Sequence, residues 1–160
     1  MKVTFKGDPR ELEGVQPQVG EKLPHFELKN LDNVVINNDT LKGSKAIISV
    51  FPDINTRVCD LQTRHFFQVA GQIPDVKILN VSNNTQDQLR DWCATAGVDA
   101  EMLSDTGLSF AKAFGLYIPE MNILARSIFV VDEEGKIIHS EIVPEIAQEP
   151  DYQKALDAAK

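Results

Sequence analysis

The sequence predicts a three-layer α/β domain with a mixed central sheet and an N-terminal β-hairpin. Three observations point there. Two strand-length runs, Ala46–Phe51 and Lys77–Ser82, read as central strands; Ala46–Phe51 is apolar but for Ser49, as in strands covered on both faces. Each is followed by a segment of helical periodicity, Arg57 to about Ala70 and Gln86–Ala96, and strands alternating with helices argue layers around one sheet. Turn clusters at Gly7-Asp8-Pro9 and Asp132–Gly135 join short alternating runs near the two ends; the second hairpin adds an antiparallel pair, so the sheet is mixed. The 160 residues suffice for one domain with a real core, spanning 1–160, and are too few for two of ordinary size. No repeat, linker or low-complexity stretch interrupts them.

In chain order, Lys2–Phe5 and Arg10–Glu13 form the first hairpin, with a loop somewhat longer than two residues. Val15–Leu23 is a polar, extended connection. His25–Lys29 and Val34–Asn37 are short strands around Leu31-Asp32-Asn33. Asp39–Gly43 is at most one helical turn. The Arg57 helix turns Val58, Leu61, Phe66 and Val69 toward the core and stops at Gly71 and Pro74. The loop Ser82-Asn83-Asn84-Thr85 supplies the N-cap of the next helix, Gln86–Ala96, and Gly97 closes it. On that helix Leu89, Trp92, Cys93 and Ala96 recur at i, i+3, i+4 and i+7, so they share the inward face. Ala100–Leu103 is a strand and Leu108–Phe114 a short helix. Leu116–Ile123 is an apolar loop, which either folds back on its own core or meets a partner. Ala125–Val131 and Lys136–Val143 are the closing strands, and Asp151–Ala159 is the last helix.

Composition narrows the function. A net charge of −8, from 16 basic and 24 acidic side chains, disfavours nucleic acid and anionic membranes as partners. No run approaches the roughly 18 apolar residues of a membrane span, and Met1–Gly14 lacks the apolar core of a signal peptide. A cytoplasmic location is the expectation. The two cysteines, Cys59 and Cys93, do not form CxxC, and His25, His65 and His139 share no zinc-ligand spacing with them. No metal or cofactor is expected.

The chemistry concentrates in Ser49–Thr63. A strand ends at Pro52, a turn follows, and Thr56 stands at the N-cap position of the next helix with Cys59 in its first turn. Unpaired N–H groups there carry partial positive charge and stabilise a thiolate. Arg57 adds positive charge, and Asp60 opposes it. A cysteine beside an apolar strand is, taken alone, more often a small buried hydrophobe than a nucleophile. The combination Pro52-x-x-x-Thr56-x-x-Cys59 reverses that preference, because it resembles the active-site motif of the peroxiredoxins.

The wider string VFPDINTRVCDLQT resembles the bacterial thiol peroxidase branch of that superfamily, the atypical two-cysteine type. So do VTFKGDPRELEG at the start, DWCATAG around Cys93, LARSIFVVD around Arg126 and EIAQEPDYQKAL near the end. The resemblance implies a thioredoxin-like fold and reduction of hydrogen peroxide and organic hydroperoxides in antioxidant defence. It makes Cys59 the peroxidatic cysteine and Cys93 the resolving cysteine, joined in an intramolecular disulfide that a thioredoxin system reduces. Thr56 and Arg126 would complete the site and Pro52 would shield it. A homodimer is implied, with Leu116–Ile123 at the partner near the active site. Asp53 and Asn55 depart from the serine and aspartate more usual in the family, which alters local charge but not the catalytic set.

The cysteines stand 34 positions apart on different helices. A disulfide needs Cα atoms within about 7 Å, so local unwinding between redox states is expected. Two other functions remain open at this point. A cysteine hydrolase would pair Cys59 with His65 or His139 as base. A non-enzymatic interaction protein would present LYIPEMNI as its binding patch and leave both thiols unreactive.

Overall fold

The computed structural model describes residues 1–160. Seven strands form the central sheet. One of its inner strands is β5 (Ala46–Val50), whose five residues are all buried. β5 runs parallel to β6 (Lys77–Ser82) and antiparallel to β10 (Ser127–Val131). Beyond β10 lies β11 (Ile137–Ile142); beyond β6 come β7 (Met102–Ser104), β3 (Glu27–Lys29) and β4 (Val35–Asn37). The sheet is therefore mixed, as expected.

Side-chain alternation divides the sheet into two faces. Ile48, Val50, Leu79, Leu103, Phe129 and Val131 face a large cluster that includes Phe110 of α4 (Ser109–Ala113) and Leu41 of α1 (Asn38–Leu41). The same cluster takes Val3 and Leu12 from the N-terminal hairpin. Ile47, Ile128 and Val130 face Phe66 of α2 (Arg57–Val69) and Ala155, Leu156 and Ala159 of α5 (Tyr152–Ala159). Further along this face Met102 meets Leu89 of α3 (Gln86–Ala96). No helix is long and apolar enough to cross a membrane.

Two expectations need correction. The first hairpin pairs β1 (Lys2–Phe5) with β2 (Asp8–Glu11), so its loop is only Lys6-Gly7. Both loop residues have positive φ, 50° and 87°, the backbone a two-residue hairpin turn of the mirror-image type requires. Pro9 is tolerated inside β2 because its partner Thr4 bonds outward: Thr4 N–H donates to Pro144 and its carbonyl accepts from Ile146, both at 2.8 Å. The Glu145 carboxylate fastens this hairpin. Hydrogen bonds from Ala147 foremost, then Gly7 and Thr4, hold its pKa down at about 2. That tie is in force above the ordinary carboxylate range and is lost as pH falls toward 2.

The second correction concerns Leu116–Ile123. It is a small antiparallel ribbon, β8 (Tyr117–Ile118) with β9 (Ile123–Leu124). Leu116, Ile118 and Leu124 are fully buried in the protein's own core. The ribbon starts at Gly115, whose φ is +65° and whose absent Cβ would lie 2.6 Å from the Val15 carbonyl carbon and oxygen. Gly115→Ala combines a left-handed backbone with a backbone clash. It should cost about 2 to 4 kcal/mol of stability in urea denaturation, whereas Gly7, with open space around it, tolerates the clash-free half of that penalty.

Candidate active site

The inward parity of β5 places Ser49 and Phe51 under α2, and the parity of β10 brings Arg126, just before that strand, to the same face. The chain then leaves the sheet at Pro52, turns through Asp53–Asn55 and enters α2 at Arg57. Thr56 takes the N-cap backbone conformation, φ −99° and ψ 153°, but its hydroxyl does not cap. It donates instead to the Asp53 carbonyl at 2.7 Å, the same oxygen that accepts the Thr56 N–H at 3.1 Å. The N–H groups of Arg57, Val58 and Cys59 consequently take no protein acceptor, and they are the positive end of the helix.

Cys59 is the third helical residue and is fully buried. Its sulfur accepts the Asp53 N–H at 3.4 Å. Asp53 also receives Asn55 N–H and the Asn84 side-chain amide on its carboxylate, both at 3.0 Å. Its charge is thus spent on holding the turn.

Arg126 is 2% exposed. Its Nε donates to the Ile146 carbonyl and its Nη1 to Gln62 Oε1, each at 2.8 Å. No carboxylate pairs with it among the ion pairs of the protein. Gln62 is itself fully buried and fixed from behind, donating to Ser49 Oγ at 2.7 Å and the Val50 carbonyl at 3.2 Å. A buried cation among neutral partners is costly unless an anion or developing negative charge arrives. The guanidinium lines a cleft of about 420 Å³ together with Pro52, Thr56, Val58, Met121 and Ile123. Cys59 adjoins these residues in the chain but does not itself line the cleft. Two larger clefts, of about 510 and 780 Å³, contain neither a cysteine nor Arg126.

Cys93 lies on α3 as the spacing predicts. The capping box is complete, Thr85 Oγ1 accepting from Gln88 N–H and Gln88 Oε1 from Thr85 N–H, and Gly97 closes the helix at φ 69°. Leu89, Trp92, Cys93 and Ala96 form its inward face, Leu89 buried and the others half-buried. Both cysteines are free thiols. They adjoin one apolar cluster, with Phe51, Ile54, Leu89 and Met102. Burial pushes the Cys93 thiol up, Asp99 adds to this, and a backbone hydrogen bond at Ala100 works against it.

Residues 19–140 match the AhpC/TSA family. A thiol peroxidase of Halalkalibacterium halodurans is 42% identical over 160 residues, covering 99% of this chain and 96% of that protein. One from Bacillus subtilis is 41% identical with the same coverage. The crystal structure of a peroxiredoxin-like protein from Aquifex aeolicus superposes with a TM-score of 0.90 at 27% identity, over 99% of this chain and 95% of the other.

The chain belongs to the AhpC/TSA family.

Within it the chain is a thiol-dependent peroxidase of the peroxiredoxin type, on the thioredoxin-like fold. The hydrolase alternative has no base. His65 stacks on Tyr152 with ring centres 3.8 Å apart, and burial lowers its pKa against the pull of Glu149. His139 sits on β11 opposite Val130. Neither hydrogen-bonds Cys59, whose sulfur meets Asp53 N–H. LYIPEMNI is not wholly a free patch either, since Leu116 and Ile118 are core.

Three residues of this candidate site escaped sequence reasoning. Gln62 hydrogen-bonds both β5 and Arg126. Ser49 anchors it. Asn84, from the loop between β6 and α3, accepts Ile54 N–H at 2.9 Å and so ties the active-site turn to α3. The available signals were polar residues where apolar ones were due: Ser49 inside a buried strand, and Gln62 one turn after Cys59.

Proposed function

We propose that Cys59 is the peroxidatic cysteine, Cys93 the resolving cysteine, and Arg126, Thr56 and Pro52 the remainder of the site. The observation that carries this reading is Arg126: a buried guanidinium without a carboxylate, lining the same cleft as Thr56. The substrate is a peroxide, and the mostly apolar walls suit organic hydroperoxides as well as hydrogen peroxide. The Cys59 thiolate attacks one oxygen of ROOH; the O–O bond breaks, ROH leaves with a proton, and Cys59 becomes a sulfenic acid. Arg126 and the free first-turn N–H groups meet the charge developing on the peroxide oxygens. The Thr56 hydroxyl, already donating to Asp53, has lone pairs for the peroxide O–H.

The Cys93 sulfur then attacks the sulfenic sulfur. An S–S bond forms, the S–O bond breaks, and the oxygen departs as water. A thiol reductant, proposed to be a thioredoxin system, restores both thiols by exchange. Two free thiols at work in this cycle suit a reducing compartment, and we place the protein in the cytoplasm as a single domain over 1–160.

One equivalent of peroxide should change the fluorescence of Trp92, the only tryptophan and the neighbour of Cys93. Dithiothreitol should reverse the change. Cys93→Ser should remove that slow phase, keep the first oxidation, and allow over-oxidation of Cys59 at high peroxide. A Cys93→Ser protein that still turns over on thioredoxin at the wild-type rate would remove Cys93 from the scheme.

We also propose a homodimer. Leu116 and Ile118 are buried in the protein's own core, but half-buried Met121 and Ile123, with Phe5, leave an apolar rim on the cleft. Sedimentation should give twice the chain mass at micromolar concentration; a monomer in both redox states contradicts this.

A further inference from the structure

Each cysteine has a chain neighbour that bridges the two helices. Asp60 follows Cys59 on α2, and Trp92 precedes Cys93 on α3. Asp60 Oδ1 accepts Trp92 Nε1–H at 2.9 Å. The same oxygen accepts Arg64 Nε–H at 2.9 Å, and the Arg64 guanidinium carbon lies 5.5 Å from the Trp92 ring centre. The indole is thus held at its edge by a carboxylate and over its face by a cation.

The two halves of α3 are fastened differently. Its N-terminal half has the capping box, the Asn84-to-Gln88 side-chain hydrogen bond at 3.2 Å and the bond from Arg90 to the Leu31 carbonyl. Its C-terminal half, Asp91–Ala96, is tied to α2 by one side-chain hydrogen bond, that of Trp92. Cys93 lies in that half, next to Trp92, with its own thiol against the Ala100 backbone.

We propose that the Asp60–Trp92 hydrogen bond is a latch that sets the rate of the resolving step, with Asp60 and Trp92 acting as positioning residues. The proposal rests on the assignment of Cys59 and Cys93 made above. For Cys93 to reach the Cys59 sulfenic acid, the end of α3 must leave its packed position, and Trp92 leaves with it. The bond to Asp60 is broken on that path and not in the first attack on peroxide. Release also exposes Cys93 to water, where its thiol regains its ordinary acidity and becomes a better nucleophile. A held latch keeps the sulfenic acid waiting, and a second peroxide can then oxidise it to the sulfinic acid, forming one more S–O bond and releasing ROH. The latch therefore sets how much peroxide the enzyme survives.

The test uses full-length Trp92→Phe, which keeps an aromatic six-membered ring and loses the five-membered ring with its N–H, alongside Asp60→Ala and the double variant. Rapid quench with alkylation and mass detection follows Cys59 sulfenic acid, the 59–93 disulfide and sulfinic acid; urea denaturation checks that each variant is folded. The first oxidation should stay within about twofold of wild type. Disulfide formation should quicken by about fivefold to tenfold in each single variant. The double variant should be no faster than the faster single, because the Asp60–Trp92 bond is already lost in each, and Asp60→Ala differs only in also freeing Arg64. The peroxide concentration giving half over-oxidation should rise in proportion. Unchanged or slower disulfide formation in folded Trp92→Phe overturns the latch. Failure of wild type to form any 59–93 disulfide overturns instead the assignment on which the latch rests.

Discussion

Cys59→Ser should lower the second-order rate with hydrogen peroxide, and with an organic hydroperoxide, by about three powers of ten or more. A hydroxyl at that position supplies no anion near neutral pH, so the displacement loses its nucleophile. The fold should survive. Cys59 is fully buried, and serine occupies slightly less space while still accepting the Asp53 N–H that now meets the sulfur. Stopped-flow peroxide consumption, with circular dichroism as the control for folding, reads both halves of this expectation. Retention of rate by a folded Cys59→Ser protein would move the chemistry elsewhere.

The second large effect belongs to Arg126. Arg126→Met keeps bulk and removes the charge, and the peroxide rate should fall by about 10² to 10³, as for other lost transition-state donors. Stability should change little in comparison. The Gln62 and Ile146 oxygens lose their donors, but an unpaired buried cation is removed at the same time. Thr56→Val is the companion variant. Its backbone N–H still closes the turn onto Asp53, so the loss of about tenfold or more reports the hydroxyl and not a collapsed loop. Wild-type rates in both variants would leave the site without its electrophilic half.

How much of this was legible in the chain depended on whether the signal was periodic. α3 was read to the residue because its apolar stripe, its cap at Thr85 and its stop at Gly97 all agree. α2 was placed correctly but turned only partly right. Phe66 is buried and Val69 packs beside it, as the apolar spacing suggested, but the rest of the buried face is Cys59, Gln62 and Thr63 in place of Val58 and Leu61. Hydrophobicity fails there because the polar members are satisfied: Gln62 by Ser49, Val50 and Arg126, and Thr63 by the Cys59 carbonyl at 3.0 Å. The partners of Gln62 lie 12, 13 and 64 residues away in sequence and leave no local trace. The Thr56 cap failed for a related reason. The N-cap backbone geometry is present, yet the Asp53 carbonyl outcompetes the helix for the hydroxyl. At the first hairpin, Pro9 suggested a longer loop, since nothing local shows that Thr4 faces away from it toward Pro144 and Ile146.

The most direct measurement is chemical trapping after one equivalent of peroxide. In Cys93→Ser, dimedone should label Cys59 alone, at close to one adduct per chain. In wild type the label should be absent and peptide mapping should find Cys59 joined to Cys93 within one chain. An adduct on Cys93 in wild type, with Cys59 still a free thiol, would contradict the assignment of the nucleophile and the account built on it.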